Sequence, residues 1–130
     1  MRDLKQEYGS SILLITHNLG VVAEMCERVG VMYAGSMAEI ADARTIFKSP
    51  RHPYTLGLMK AVPTVAFELE RLSSIPGNVP NLIKPPAGCR FHPRCEFAKE
   101  FCRIEKPSLM EIEKGHFVAC HMVSGAKGYV

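Results

Sequence analysis

The stretch ILLITHNLGVVAEMCERVGVMYAG, residues 12–35, decides the fold. Ser11 to Thr16 forms a short, almost wholly apolar run, the pattern of a strand covered on both faces in a parallel sheet. A polar pair, His17-Asn18, closes it. Asn18 is placed to cap a helix from about Leu19 to Arg28, with Val21, Val22, Met25 and Val29 at helical spacing on its apolar side. Val29 to Tyr33 reads as a second apolar strand. Ala34-Gly35-Ser36 predicts a tight turn into Met37 to Ala41, its hairpin partner. Asp42 then fits as the cap of a short helix through Phe47. Upstream, Met1 to Tyr8 reads as the last turns of a helix stopped by Gly9 in the left-handed conformation. Alternating strands and helices predict an α/β fold.

Outward from this core the composition changes near Ser49. Residues 1–48 hold one Cys and no Pro, whereas residues 50–130 hold four Cys and all nine Pro. A boundary within Ser49-Pro50-Arg51-His52-Pro53 follows, giving two parts, residues 1–49 and 50–130. Pro53 restricts His52 to extended geometry and can open the next helix at its first position. His52 therefore reads as a linker-to-helix junction without a chemical role. Tyr54 to Val62 has the spacing of a short amphipathic helix. Pro76-Gly77 and Pro85-Pro86 punctuate an extended stretch. Glu96 to Phe101 suits one or two helical turns, and Phe117 to His121 a short strand.

The whole chain has 130 residues, 47% hydrophobic and 22% charged, which excludes a largely disordered protein. A net charge of +3 is too small an excess to argue for nucleic acid. No apolar run approaches the roughly 18–20 residues needed to span a bilayer. The N-terminal MRDLKQEYGSS carries no signal-peptide core. The expected compartment is the cytosol, where reducing conditions disfavour disulfides.

Five cysteines in so short a chain require an explanation. Cys26 stands on the apolar side of the first helix and reads as a core thiol. Cys89, Cys95, Cys102 and Cys120 are separated by five, six and 17 residues. Four thiolates can complete a tetrahedral zinc site or ligate a four-iron cluster. The tight C-x2-C knuckles of structural zinc sites are absent, and the looser spacing is compatible with iron–sulfur. Zinc remains the competitor, with His92 or His121 able to replace one thiolate. Four free thiols and two disulfides are weaker readings. Arg90, Arg94, Lys99 and Arg103 would offset the negative charge of a thiolate-ligated site. Such a centre would clip an irregular extension that has little core of its own.

His17 sits where a buried strand would end, and ligands of open α/β sheets bind at that edge. From there it could reach a phosphate oxygen or position a water, or it could be a plain junction residue. Residues 12–35 resemble the switch-histidine segment of ATP-binding cassette (ABC) ATPases. In that family an apolar strand ends in Thr-His, and a helix leads to an R-V-x-V-M-x-x-G strand and hairpin. The resemblance gives His17 the catalytic position that contacts the γ-phosphate of ATP, with Asn18 where many members carry Asp. Gly35 and Glu39 match the turn and strand that follow.

The segment RHPYTLGLMKAV, residues 51–62, resembles the start of the C-terminal extension of oligopeptide and dipeptide importer ATPases. Ile75 to Pro80 and Pro85 to Cys89 also resemble it. The four-cysteine pattern occurs in some of those proteins, and the resemblance implies a [4Fe-4S] cluster on Cys89, Cys95, Cys102 and Cys120. No phosphate loop, signature motif or strand ending in Asp-Glu occurs in these 130 residues. The expectation is therefore the C-terminal part of an energy-coupling ATP-binding subunit. It would be the end of an ABC ATPase sheet followed by a small α+β metal-clipped extension. Without those motifs the piece should not hydrolyse ATP alone. The intact subunit would use ATP and Mg. Its implied partners are a second ATP-binding subunit and membrane permease subunits, without nucleic acid. Its implied place is cytoplasmic, on the inner face of the cell membrane. A stand-alone four-cysteine metal-binding module is the alternative.

Overall fold

A computed structural model describes residues 9, 11–61 and 75–123. The expected helix over Met1–Tyr8 and residue Val62 lie outside them. Gly9 does take a positive φ of 59°.

Helix α1 spans Leu19–Met25. Asn18 caps it, its side chain accepting from the amides of Gly20 (3.0 Å) and Val21 (3.3 Å). The helix ends three residues before the expected Arg28, because the chain turns extended at Cys26 to begin strand β1 at Arg28. β1 (Arg28–Tyr33) and β2 (Ser36–Asp42) form the expected hairpin. Its turn residues Ala34 (φ 48°) and Gly35 (φ 73°) are both left-handed, the geometry that matches strand twist in a two-residue hairpin. Asp42 caps α2 (Ala43–Lys48), accepting from the Thr45 amide at 2.9 Å and the Thr45 hydroxyl at 2.6 Å. These bonds hold the Asp42 carboxyl below its usual pKa, the hydroxyl bond contributing most. Helix α3 (Pro53–Lys60) begins on Pro53 as expected. A 3-10 turn, His92–Arg94, and helix α4 (Glu100–Ile104) follow among the cysteines. Strands β3 (Met110–Glu113) and β4 (His116–Val118) close the fold.

The four strands form one sheet in the order β1-β2-β4-β3, every neighbouring pair antiparallel. The parallel-sheet character expected of the first half is therefore not what the described strands build. Ser11 to Thr16 is not a strand in the structure, and Leu13 and Ile15 are 88% and 89% exposed. A strand covered on both faces needs sheet neighbours and layers above and below it. Here every described strand is already committed to the antiparallel sheet. The sheet also runs across the composition boundary, since β2 from the first part pairs with β4 from the second through Glu39↔Val118 and Ile40↔Phe117. The small core sits between this sheet and the helices: Val31, Ala41 and Ile46, with Val29, Tyr54, Leu58 and Met59 packed against it.

Candidate functional site

Glu39 lies in the middle of β2, 0% exposed. A buried carboxylate is costly unless its oxygens are satisfied. Three donors meet it: the Arg51 amide at 2.8 Å, the His52 amide at 3.0 Å and His116 Nε2 at 2.7 Å. The His-Pro-Tyr junction is thus fastened to the sheet by its backbone. His52 itself is 3% exposed. Its Nδ1 accepts from the Tyr54 amide at 3.0 Å, capping α3, and its ring also bonds the backbone of Ala119. Burial pushes its pKa down to about 4, although nearby Glu39 and the Ala119 bond act in the opposite direction. His52 is therefore a neutral structural latch at the start of α3.

Around this latch the aromatic rings interlock. Phe91 lies 5.1 Å from Tyr33, 5.4 Å from Tyr54 and 5.9 Å from His52, centroid to centroid. Phe91 stands between Cys89 and Cys95, so the knot joins the cysteine-bearing loop to β1 and α3. Two arginines reinforce the joint. Arg90 donates to the Ala34 carbonyl at the hairpin turn. Arg94 donates to the carbonyls of Ile75 (2.7 Å) and Pro76 (2.9 Å). Both stand where the sequence suggested charge compensation, and both hold the backbone as well.

Cys89, Cys95, Cys102 and Cys120 all line one cavity, with Phe91, Phe97, Ala98, His52, His92 and His121. The folded chain thus brings together the four residues that the spacing singled out. Burial pushes the Cys95 thiol up to about 11, and the Cys89 and Cys120 thiols upward as well. Neighbouring thiols add to the rise. Opposing it, nearby backbone amides lower the thiols: those of Phe91 and His92 act on Cys89, that of Phe97 on Cys95, and those of Met122 and Val123 on Cys120. Amides directed at sulfur stabilise a thiolate, and the burial that opposes them would be relieved by a cation. Four thiols around one cavity are the kind of donors that a thiolate-ligated centre uses. Among the described residues, however, no group of three or more His, Cys, Asp or Glu is placed so that it could hold a metal ion as it stands.

The two candidate histidines use a ring nitrogen elsewhere. His92 Nδ1 meets the Cys89 carbonyl at 2.8 Å, and His121 Nε2 the Glu105 carbonyl at 2.9 Å. Those contacts suit groups that orient the loop rather than ligands. Cys26 is half-buried at the end of α1, short of the core position expected of it. His17 is exposed just ahead of the Asn18 cap, where the Asn18 amide donates to Thr16 Oγ1 at 3.0 Å. It stands apart from the cysteine cavity. No helix among the described residues is long and apolar enough to cross a membrane.

Residues 38–102 match the family described as oligopeptide/dipeptide transporter, C-terminal region. Among curated relatives, the dipeptide transport ATP-binding protein DppD of Caldanaerobacter subterraneus is 40% identical over 122 residues, covering 94% of this chain and 37% of that protein. The oligopeptide transport ATP-binding protein OppD of Haemophilus influenzae is 48% identical over 120 residues, covering 92% of this chain and 37% of that protein. OppD of Escherichia coli is 47% identical over 120 residues, covering 92% and 35%. The chain thus spans little more than a third of the length of these relatives.

Proposed function

Since the chain belongs to the oligopeptide/dipeptide transporter C-terminal region family, we propose that it is the C-terminal part of an ATP-binding subunit that powers peptide import. The observation that carries this reading is the similarity over 92% or more of the chain to ATP-binding proteins of dipeptide and oligopeptide transport. In the intact subunit, residues 1–49 end the nucleotide-binding domain and residues 50–130 form an extension tied to it through the shared sheet. Permease subunits and a second ATP-binding subunit are its partners, at the inner face of the cell membrane. The phosphate loop, signature motif and magnesium-binding carboxylates that these 130 residues lack would complete the ATP and Mg site.

His17 serves there as the catalytic contact to the γ-phosphate. Its exposed position beside a capped helix start supports this role, because the Asn18 cap fixes the backbone and leaves the imidazole free to meet a phosphate brought by the rest of the subunit. The exposed apolar side chains of Ile12, Leu13 and Ile15 suit a strand that completes its sheet there, covered on both faces. In the complete subunit, His17→Ala should remove most ATP turnover while nucleotide binding is kept. Undiminished turnover would refute the role.

Cys89, Cys95, Cys102 and Cys120 hold a [4Fe-4S] cluster in this reading. A single zinc needs all its ligands about 2.1–2.3 Å from one point. A four-iron cluster takes one thiolate on each iron and accepts a wider ring of sulfurs. The loose cysteine spacing, without a C-x2-C knuckle, supports the cluster over a single zinc. When bound, it would supply cross-linking energy to an extension with little core. The chain's part is to direct amides at the sulfurs, exclude water with Phe91 and Phe97, and tie the loop to the sheet through His52.

A further inference from the structure

Gly88 precedes the first of the four cysteines, in the left-handed region at φ +67°. Its backbone crosses the end of α4 at very close range. A Cβ built on it would lie 2.4 Å from the Cys102 carbonyl oxygen, 2.7 Å from the Arg103 carbonyl carbon and 2.9 Å from the Arg103 oxygen. Each is backbone, so no side chain can swing aside. At this crossing the Cys89 amide donates to the Cys102 carbonyl at 2.8 Å. Two cysteines that are 13 positions apart in sequence are thereby stitched together by one hydrogen bond. The next bonds propagate from it, His92 amide to Cys89 carbonyl (3.0 Å) and Cys95 amide to His92 carbonyl (3.3 Å).

We propose that Gly88 is a positioning residue for the metal centre: the close backbone crossing that only glycine permits sets Cys89 against Cys102 before any metal binds. This inference rests on the metal-centre reading above. Any side chain at 88 must push the Cys89 segment away from α4, separating two ligands. Gly115 supplies the internal control. It is also left-handed, at φ +76°, yet a Cβ there meets nothing within 4 Å. Gly115→Ala therefore carries the backbone strain without the collision.

The test compares the wild-type chain, Gly88→Ala and Gly115→Ala, each purified anaerobically after iron and sulfide loading. Iron, sulfide and zinc content and the visible spectrum are read alongside far-UV circular dichroism. Misplaced support of a ligand costs about 10–100-fold in metal affinity. Gly88→Ala should therefore lose iron at least about tenfold more readily to a competing chelator and lose the visible band. Gly115→Ala should retain both. Equal retention in wild type and Gly88→Ala would overturn the role of Gly88 while leaving the metal centre standing. A wild-type chain that takes up no iron or zinc would instead sink the metal-centre reading, and this inference with it. Should Gly88→Ala fail to fold, amide exchange of Cys89 in the metal-free wild-type chain decides. Slow exchange is expected if the crossing precedes the metal, and exchange as fast as in a free loop would overturn it.

Discussion

Replacing Glu39 by Gln tests the joint that holds the two halves together. Glu39 carries two backbone amides and one imidazole N–H, all from residues at or beyond Arg51. Hydrogen bonds to a charged group contribute about 1.5–3 kcal/mol each, and removing one partner of a buried pair costs about 3–5 kcal/mol. Gln keeps one acceptor oxygen and turns its amide hydrogens toward a donor. One of the three bonds is lost outright and a second is weakened, so the expected loss is about 3–5 kcal/mol. That is a large share of the roughly 5–15 kcal/mol that stabilises a typical domain. With a urea dependence of about 2 kcal/mol per molar for a small protein, the midpoint should fall by about 2 M. The assay is urea unfolding followed by circular dichroism at neutral pH. Adding His116→Gln to Glu39→Gln should cost less than the sum of the separate effects, because both remove the same bond. A midpoint within about 0.3 M of wild type would show that the carboxylate is not needed at the joint.

Other outcomes follow from the same contacts. His52 titrates near 4 in the folded chain against an ordinary 6.5, so the unfolded chain binds the extra proton first. Its contribution is fully present above about pH 6.5 and is lost as pH falls toward 4, about 3 kcal/mol in all. Urea midpoints of wild type and His52→Asn between pH 4.5 and 7 check this. Asn can still cap α3, and its variant should show a flatter profile. Asn18→Ala should lower stability by about 1 kcal/mol by removing the α1 cap. In the complete subunit it should also slow ATP turnover, because the same cap orients His17; unchanged turnover would separate the two. Thiols held protonated by burial must release protons when they take up metal. Titration calorimetry of metal loading in buffers of different ionisation enthalpy should therefore show net proton release, and a buffer-independent heat would contradict it.

Much of the local structure was legible in the sequence because short-range chemistry dictated it. Asn18 and Asp42 cap helices wherever they are free to do so, and Ala34-Gly35 can only turn tightly. Pro53 opens α3 for the same kind of reason. The run Ser11–Thr16 misled because periodicity reports a preference for burial without saying what will provide it. Strand β3 was missed because Met110–Glu113 is mostly exposed and carries two acidic residues, so it lacks the apolar signal of a strand. In the site, the four cysteines declared themselves by type and by their concentration in one segment. Glu39 was noticed as a match and not as an anchor. Its one signal was a carboxylate inside the otherwise apolar Met37–Ala41. Its partner His116 lies 77 residues away, a pairing that no local pattern encodes. Gly88 was equally silent, since its role depends on a backbone that approaches from α4.

The proposed metal centre would place four cysteines from one irregular segment beside the antiparallel sheet. Metal and sulfide analysis of the anaerobically purified chain tests it most directly. A cluster on these cysteines makes the protein brown, absorbing broadly near roughly 400 nm, with about four iron and four sulfide per chain. A colourless chain carrying about one zinc would contradict the cluster, and a chain free of both metals would contradict the centre itself.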